Sequence, residues 1–234
     1  MKVIIKNIII VLKRFGVSCT LAVVGLAIAF SVFYMTVVQS SYDLRFDRNF
    51  EKADNIFLYS RIMPGNRASS RTITNSIEPR ISAERYPEIK DYCYLTVRYE
   101  KRFEISDDKT DKARIIHETF TSASIGLIGM FKPKVLHGDI KQAFTPGHVM
   151  LTENAARKMF GNEYPVGKKI SYSDYINTDW LIVATVAAVC VDFPENCSLK
   201  NGIYQYQPEI GHNQWNFTTY FEIEPSNTDR LLKK

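Results

Sequence analysis

Between Val17 and Gln39 the chain runs for 23 residues without a charged side chain, VSCTLAVVGLAIAFSVFYMTVVQ. As a helix rising 1.5 Å per residue, such a run covers about 35 Å, enough to cross a hydrocarbon core of about 30 Å with some tilt. A buried core helix would be shorter and would carry polar positions. A cleavable signal peptide is the nearer rival, since Val38 and Ser40 suit a cleavage site, but its apolar core is usually only about 7–15 residues long. A retained transmembrane helix over 17–39 is therefore expected.

The charge distribution sets a direction for that helix. The formal net charge is +5, from 30 basic and 25 acidic residues, yet Lys2, Lys6, Lys13 and Arg14 are the only charges before Asp43. Removing these four leaves 30 − 4 = 26 basic against 25 acidic residues, so the rest of the chain is almost neutral. A protein that neutralises several phosphates needs a local basic excess, and none follows residue 42, which excludes nucleic acid as a partner. In MKVIIKNIIIVLKR, Lys2, Lys6 and Lys13 fall on one arc of a helix and Ile4, Ile5, Ile8, Val11 and Leu12 on the other. Residues 1–16 are thus expected as an amphipathic cytoplasmic helix on membrane lipid. Four positives and no acid before the span put the N-terminus in the cytoplasm and residues 41–234 outside it, in the periplasm if the source has two membranes.

Past the span, Tyr42, Phe46 and Phe50 recur every four residues, with Ala53 close to the same face, which predicts a stalk helix over 40–54 continuing the transmembrane one. Residues 55–234 read as one extracytoplasmic domain. Strands are expected at 55–62, 89–106, 113–120, 148–151, 168–173, 179–191 and 216–224, and short helices at 75–86, 122–131, 153–160 and 226–234. Thr152 is placed to cap the helix at 153–160 and Gly161 to end it. The irregular alternation predicts an α+β fold: a mixed α/β domain built from βαβ-like pieces. In an oxidising space Cys190 and Cys197, seven residues apart, could form a disulfide across the turn at Asp192–Pro194, with buried thiols the equal alternative.

No catalytic pattern stands out. GNEYPVGK at 161–168 lacks the Ser or Thr after the lysine and the strand before it that a P-loop needs. Histidines 117, 137, 148 and 212 never fall at zinc spacing, and GxSxG is missing. Asp107 and Asp108 lie in an expected turn, where Asp is favoured for local backbone bonding. No metal, cofactor or catalytic residue is assigned, and function has to be sought in architecture.

Three stretches together resemble the permease subunits of MacB/FtsX-type ABC transporters, in the form common in Bacteroidetes-like bacteria. The first is the basic helix, the span with VGLAIAF and then YDLRFDRNFEKADNIFLYSR, where Phe46, Phe50, Ala53 and Asp54 match the family's stalk and entry to its first strand. The second is VMLTENAARKMFGNEYPVGKKI, carried by Leu151, Thr152, Phe160, Gly161, Pro165 and Gly167. The third is VATVAAVCVDFPENCSLK, carried by Asp192, Phe193 and Pro194. Read physically, all of these are structural residues.

The resemblance implies a non-enzymatic subunit that relays motion by mechanotransmission. A separate cytoplasmic ABC ATPase dimer would bind ATP, and a second permease chain would pair with this one. An outer domain in the periplasm, with or without a periplasmic adaptor, would move peptides, drugs or lipoproteins. That family has four spans and this sequence shows one, which implies either a fragment of a longer permease or a truncated gene product that cannot couple to ATP by itself, seated in the inner membrane. Two other readings stand beside it. One is a stand-alone single-span binding or sensing module; the other is a membrane-anchored hydrolase, which requires a convergent polar cleft.

Overall fold

The protein is described here by a computed structural model covering residues 10, 14–62, 70–96, 99–107, 110–173, 181–209 and 215–232. It divides into two compact units, 1–46 and 47–234.

The first unit contains helix α1, Gly16–Leu44, of 29 residues, none of whose side chains is buried within the protein. By length and composition it is the one helix among the described residues able to cross a membrane. Three of its hydroxyls bond within the helix. Thr20, Ser31 and Thr36 donate to the carbonyls of Gly16, Ala27 and Val32 at 2.8, 2.8 and 2.9 Å, as polar groups facing hydrocarbon must. The basic helix expected over 1–16 lies almost wholly outside the described residues.

In the second unit, strands β1 (Ile56–Leu58), β4 (Ile73–Thr74), β5 (Ile89–Thr96), β6 (Tyr99–Asp107), β7 (Thr110–Ala123), β8 (Val135–Gly138), β9 (His148–Thr152), β10 (Lys169–Tyr172), β11 (Ile182–Cys190), β12 (Ile203–Tyr206) and β13 (Phe217–Ile223) join in one sheet. Two more, β2 (Arg61–Ile62) and β3 (Ser70–Arg71), form a separate hairpin. Helices α2 (Glu78–Arg85), α3 (Gly126–Phe131), α4 (Ile140–Ala143), α5 (Glu153–Phe160) and α6 (Pro225–Leu232) complete the described elements. The sheet runs β1-β13-β5-β7-β12-β9-β11-β10-β6, and β6 pairs back onto β7. Six strands, β7, β12, β9, β11, β10 and β6, therefore close into a ring, and β13, β5 and β1 extend from it. Pairing is antiparallel except for β7 with β12 and β9 with β11 in this mixed α/β domain, and only β9 and β11, joined through α5 and β10, resemble a βαβ crossover.

Alternation decides which side chains fill the ring. Phe103, Phe120, Val149, Leu151, Ile170, Tyr172, Val186 and Ile203 are buried there, with Met159 and Phe160 of α5 packed against them. Lys101 points inward too and is 6% exposed. Its Nζ lies 4.1 Å from the Phe120 ring centroid, 4.5 Å from Tyr172 and 5.1 Å from Tyr99, a cation held on three aromatic faces. Opposite it on β7 is Glu118, nearly buried and paired with Lys158 at 2.9 Å. Lys101→Glu sets an anion against those rings and beside a carboxylate, and is expected to cost about 3 kcal/mol. Lys101→Met keeps the hydrocarbon stem and should cost about 1 kcal/mol or less. Thermal unfolding of the detergent-solubilised protein checks both, and equal melts for the two variants would refute the cage.

A second core lies against β5, β12 and β13, built from Cys93, Leu95, Leu127, Met130, Phe131, Phe193, Leu199, Tyr204 and Tyr220. Three sequence expectations change here. The strand expected over 55–62 is broken into β1 and β2. Strands β8 and β12, four residues each, were not anticipated. The stalk helix expected to residue 54 ends at Leu44, and after turns a single 3-10 turn, Ala53–Asn55, precedes β1. The physical reason is Asp47, whose φ of 58° leaves the right-handed helical region.

Candidate functional site

Residues 47–55, the first of the second unit, join the sequence of α1 to the first strand, and they are strapped along their length to the rest of that unit. Asp47 is the first fastening. Its backbone N–H donates to the Asn196 carbonyl at 3.0 Å. Its carboxylate accepts from the Ser198 N–H and hydroxyl, both at 2.5 Å. Asn49 then donates to the Asn196 side chain at 3.0 Å. The Phe50 ring packs edge-on to Phe131 with centroids 4.9 Å apart. Glu51 meets Lys132 at 2.8 Å, and that amine holds the Glu51 carboxyl below its ordinary range. Lys52 meets the nearly buried Glu222 at 2.6 Å, a bond that raises the lysine pKa. Beside this pair Asp91 is pushed up, chiefly by burial. Arg48 bonds Asp54, closing the strap on itself.

The loop that receives Asp47 is the Asp192–Asn201 turn, and it is braced from within. Phe193 is buried, with its ring 5.7 Å from Tyr204. Its N–H donates to Asn201 Oδ1 at 2.7 Å, and Asn201 Nδ2 donates back to the Phe193 carbonyl at 3.0 Å. The Tyr204 hydroxyl accepts from the Lys200 N–H at 3.0 Å and donates to the Lys200 carbonyl. Pro194 is exposed at the tip. A crevice of about 230 Å³ opens between Ser198–Lys200 and the sheet, with Leu95, Thr121, Thr218 and Tyr220 among its lining. The groups lining it are hydroxyls, one amine and hydrocarbon, with no imidazole or thiol to pair with a nucleophile. Among the described residues no cluster of three His, Cys, Asp or Glu could hold a metal ion.

The structure brings part of the sequence-derived set together. Asp192 Oδ1 accepts from the Asn154 N–H at 2.9 Å and so caps α5 across space. Thr152 holds the N-cap position, but its hydroxyl accepts from Gly202 N–H at 3.0 Å and makes no cap bond. The expected capping role of Thr152 therefore passes to Asp192, because the second and third motifs meet at this helix end. Leu151 is buried inside the ring. Phe160, Gly161, Pro165 and Gly167 lie towards the other end of α5: Gly161 closes it at φ 64°, Lys168 donates to the Pro165 carbonyl at 3.1 Å, and Gly167 to the Val186 carbonyl at 2.8 Å. Phe46 stays in the first unit, its ring 6.3 Å from Tyr42. Ala53 and Asp54 fall in the 3-10 turn. Of the fastening residues, Ser198 belongs to the third motif, whereas sequence reasoning passes over Asp47, Lys132 and Glu222, since partners 151 and 170 residues apart leave no local spacing to read.

The disulfide considered between Cys190 and Cys197 is not formed in the structure. Both side chains are fully buried thiols, and Cys197 donates to the Leu199 carbonyl at 3.0 Å. Burial pushes the Cys190 and Cys93 thiols up to about 12, which suppresses the reactive thiolate. The native protein is expected to leave Cys93, Cys190 and Cys197 unlabelled by maleimide over hours and to label all three once unfolded. Mass spectrometry reads this directly, and a 190–197 cross-link or rapid native labelling would contradict the buried-thiol arrangement.

No family sequence model matches the chain, and no curated protein matches it by sequence. Solved structures do. A permease-protein domain from Porphyromonas gingivalis superposes with a TM-score of 0.62 at 18% identity, over 79% of this chain and 84% of that one. The periplasmic region of MacB from Actinobacillus actinomycetemcomitans gives 0.51 at 14% identity, over 76% and 78%. The extracellular domain of the noncanonic ABC-type transporter YknZ from Gram-positive bacteria gives 0.50 at 13% identity, over 76% and 88%. Behind its apolar helix, this chain carries the fold of the extracytoplasmic domains of MacB/FtsX-type permeases.

Proposed function

We propose that the protein serves as a permease subunit of an ABC transporter of the mechanotransmission type, in which ATP is bound by a separate cytoplasmic subunit and this chain relays the resulting motion to its outer domain. The observation that carries the reading is the strap. Hydrogen bonds, an aromatic contact and two ion pairs fix residues 47–52 to three separate elements of the outer domain. A flexible tether for a binding or sensing module would need none of these, whereas a mechanical connection needs several acting together, because exposed ion pairs taken singly are weak. The four positive residues ahead of the span support a cytoplasmic N-terminus and an outer domain on the far side of the inner membrane. Peptides, drugs or lipoproteins are the substrate classes that follow from the resemblance. The partners that follow are an ATPase dimer and a second permease chain, with or without an adaptor.

Purification of the tagged chain from mild-detergent extracts of its native membrane tests the reading. An ABC ATPase with GxxxxGK[ST], recovered in a fixed ratio and lost when the span is replaced by an unrelated one, is the expected result. Recovery of the chain without any such ATPase, under conditions that keep other ABC complexes whole, would contradict it and favour the single-span module.

A further inference from the structure

We propose that residues 47–53 are a two-state element, a latched turn in this structure and a helix when Asp47 lets go of Ser198. The sequence supplies the second state. From Arg45 to Ala53, RFDRNFEKA contains no Gly, Pro or β-branched residue, and Phe46, Phe50 and Ala53 continue the face begun by Tyr42. Asp47 and Asn49 are weak helix formers, but nothing in that stretch is a strong helix breaker. What stops it is tertiary: Asp47 takes a φ of 58°, a region that few side chains other than those of Asn and Asp enter. It is kept there by one backbone and two carboxylate hydrogen bonds to Asn196 and Ser198. Just before it, Arg45 and Phe46 bond back to the Tyr42 and Asp43 carbonyls at 3.2 Å, the tightened geometry of a helix being brought to a halt.

Local preference and tertiary fastening thus oppose each other over residues 47–52, with Asp47 the one held outside the helical region and Phe50, Glu51 and Lys52 adding fastenings that a helix would have to rearrange, the arrangement a bistable element requires. Release has a defined consequence at the other end. The Ser198 N–H and hydroxyl lose their acceptor, and the Ser198–Lys200 segment that walls the 230 Å³ crevice loses a fastening. The state of 47–53 is therefore coupled to the shape of that crevice. The switch is a property of the fold itself; only its being driven by ATP rests on the permease reading.

Hydrogen–deuterium exchange of the full chain in detergent, with no ATPase present, tests the switch separately from that reading. Asp47→Ala removes both carboxylate bonds of the latch, and Ser198→Ala removes only the hydroxyl bond, leaving the Ser198 N–H to donate to Asp47. In Asp47→Ala the amides of residues 47–51 are expected to exchange at least about tenfold more slowly than in the wild type as helix forms, and in Ser198→Ala more slowly by a smaller factor, while Cys93 and Cys190 stay shielded from maleimide as proof of an intact fold. Exchange at 47–51 that is unchanged or faster in both folded variants would overturn the proposal.

Discussion

Gly202→Ala is expected to lower stability by about 4 kcal/mol, the largest effect of any single substitution considered. Gly202 holds φ at 150°, and a Cβ there would lie 2.3 Å from the Thr119 carbonyl oxygen. That neighbour is backbone within β7, so it cannot swing aside. The same glycine accepts from the Thr152 N–H at 3.0 Å and donates to the Thr152 hydroxyl at 3.0 Å, tying β9 to the braced turn. Moving it breaks two buried bonds as well as creating a clash. Gly161→Ala is the control, with a φ of 64° but open space around the new methyl, and should cost only about 1 kcal/mol. Thermal unfolding of both variants separates steric from conformational cost; similar melts would mean that the close approach at Gly202 is not what makes glycine necessary there.

The second large effect concerns function. Asp47→Ala in the assembled complex is expected to leave ATP turnover within about twofold while cutting the ATP-dependent response of residues 192–201 by at least about tenfold. The outer domain should remain folded, because Asp47 belongs to neither buried core. The fastening between the strap and the turn is lost first, and the strap is freed to change conformation. Phe50→Ala removes the next fastening, the edge-on contact with Phe131, and should act in the same direction more weakly. If Asp47→Ala leaves the response intact, force does not pass through this contact.

How much of this was written in the sequence depends on the range of the interaction that decides each feature. The membrane-crossing helix was legible because an uncharged run is a local property, and Val17–Gln39 lies wholly within the observed Gly16–Leu44. Helix α5 was legible for the same reason, with Glu153 in its first turn and Gly161 past its end. The stalk was misjudged because periodicity from Tyr42 to Ala53 describes what the segment prefers alone, while its ending at Leu44 is imposed by Ser198, 151 residues on. Thr152 was rightly placed at a helix start but given the wrong bond, since neither Gly202 nor Asp192 is near it in sequence. Strands β8 and β12 are not legible in the sequence; it is their pairing with β11, β9 and β7 that makes them strands. Closure of the ring through β6 and β7 is likewise a matter of register between distant segments.

The central claim is that motion enters the outer domain through residues 47–55 and reaches the Asp192–Asn201 turn. Hydrogen–deuterium exchange on the purified permease–ATPase complex, compared with and without ATP and vanadate, addresses it directly. Exchange at 47–55 and at 192–201 is expected to change together when ATP is bound. ATP hydrolysis accompanied by exchange changes elsewhere in the outer domain, with both of these segments unaltered, would contradict it.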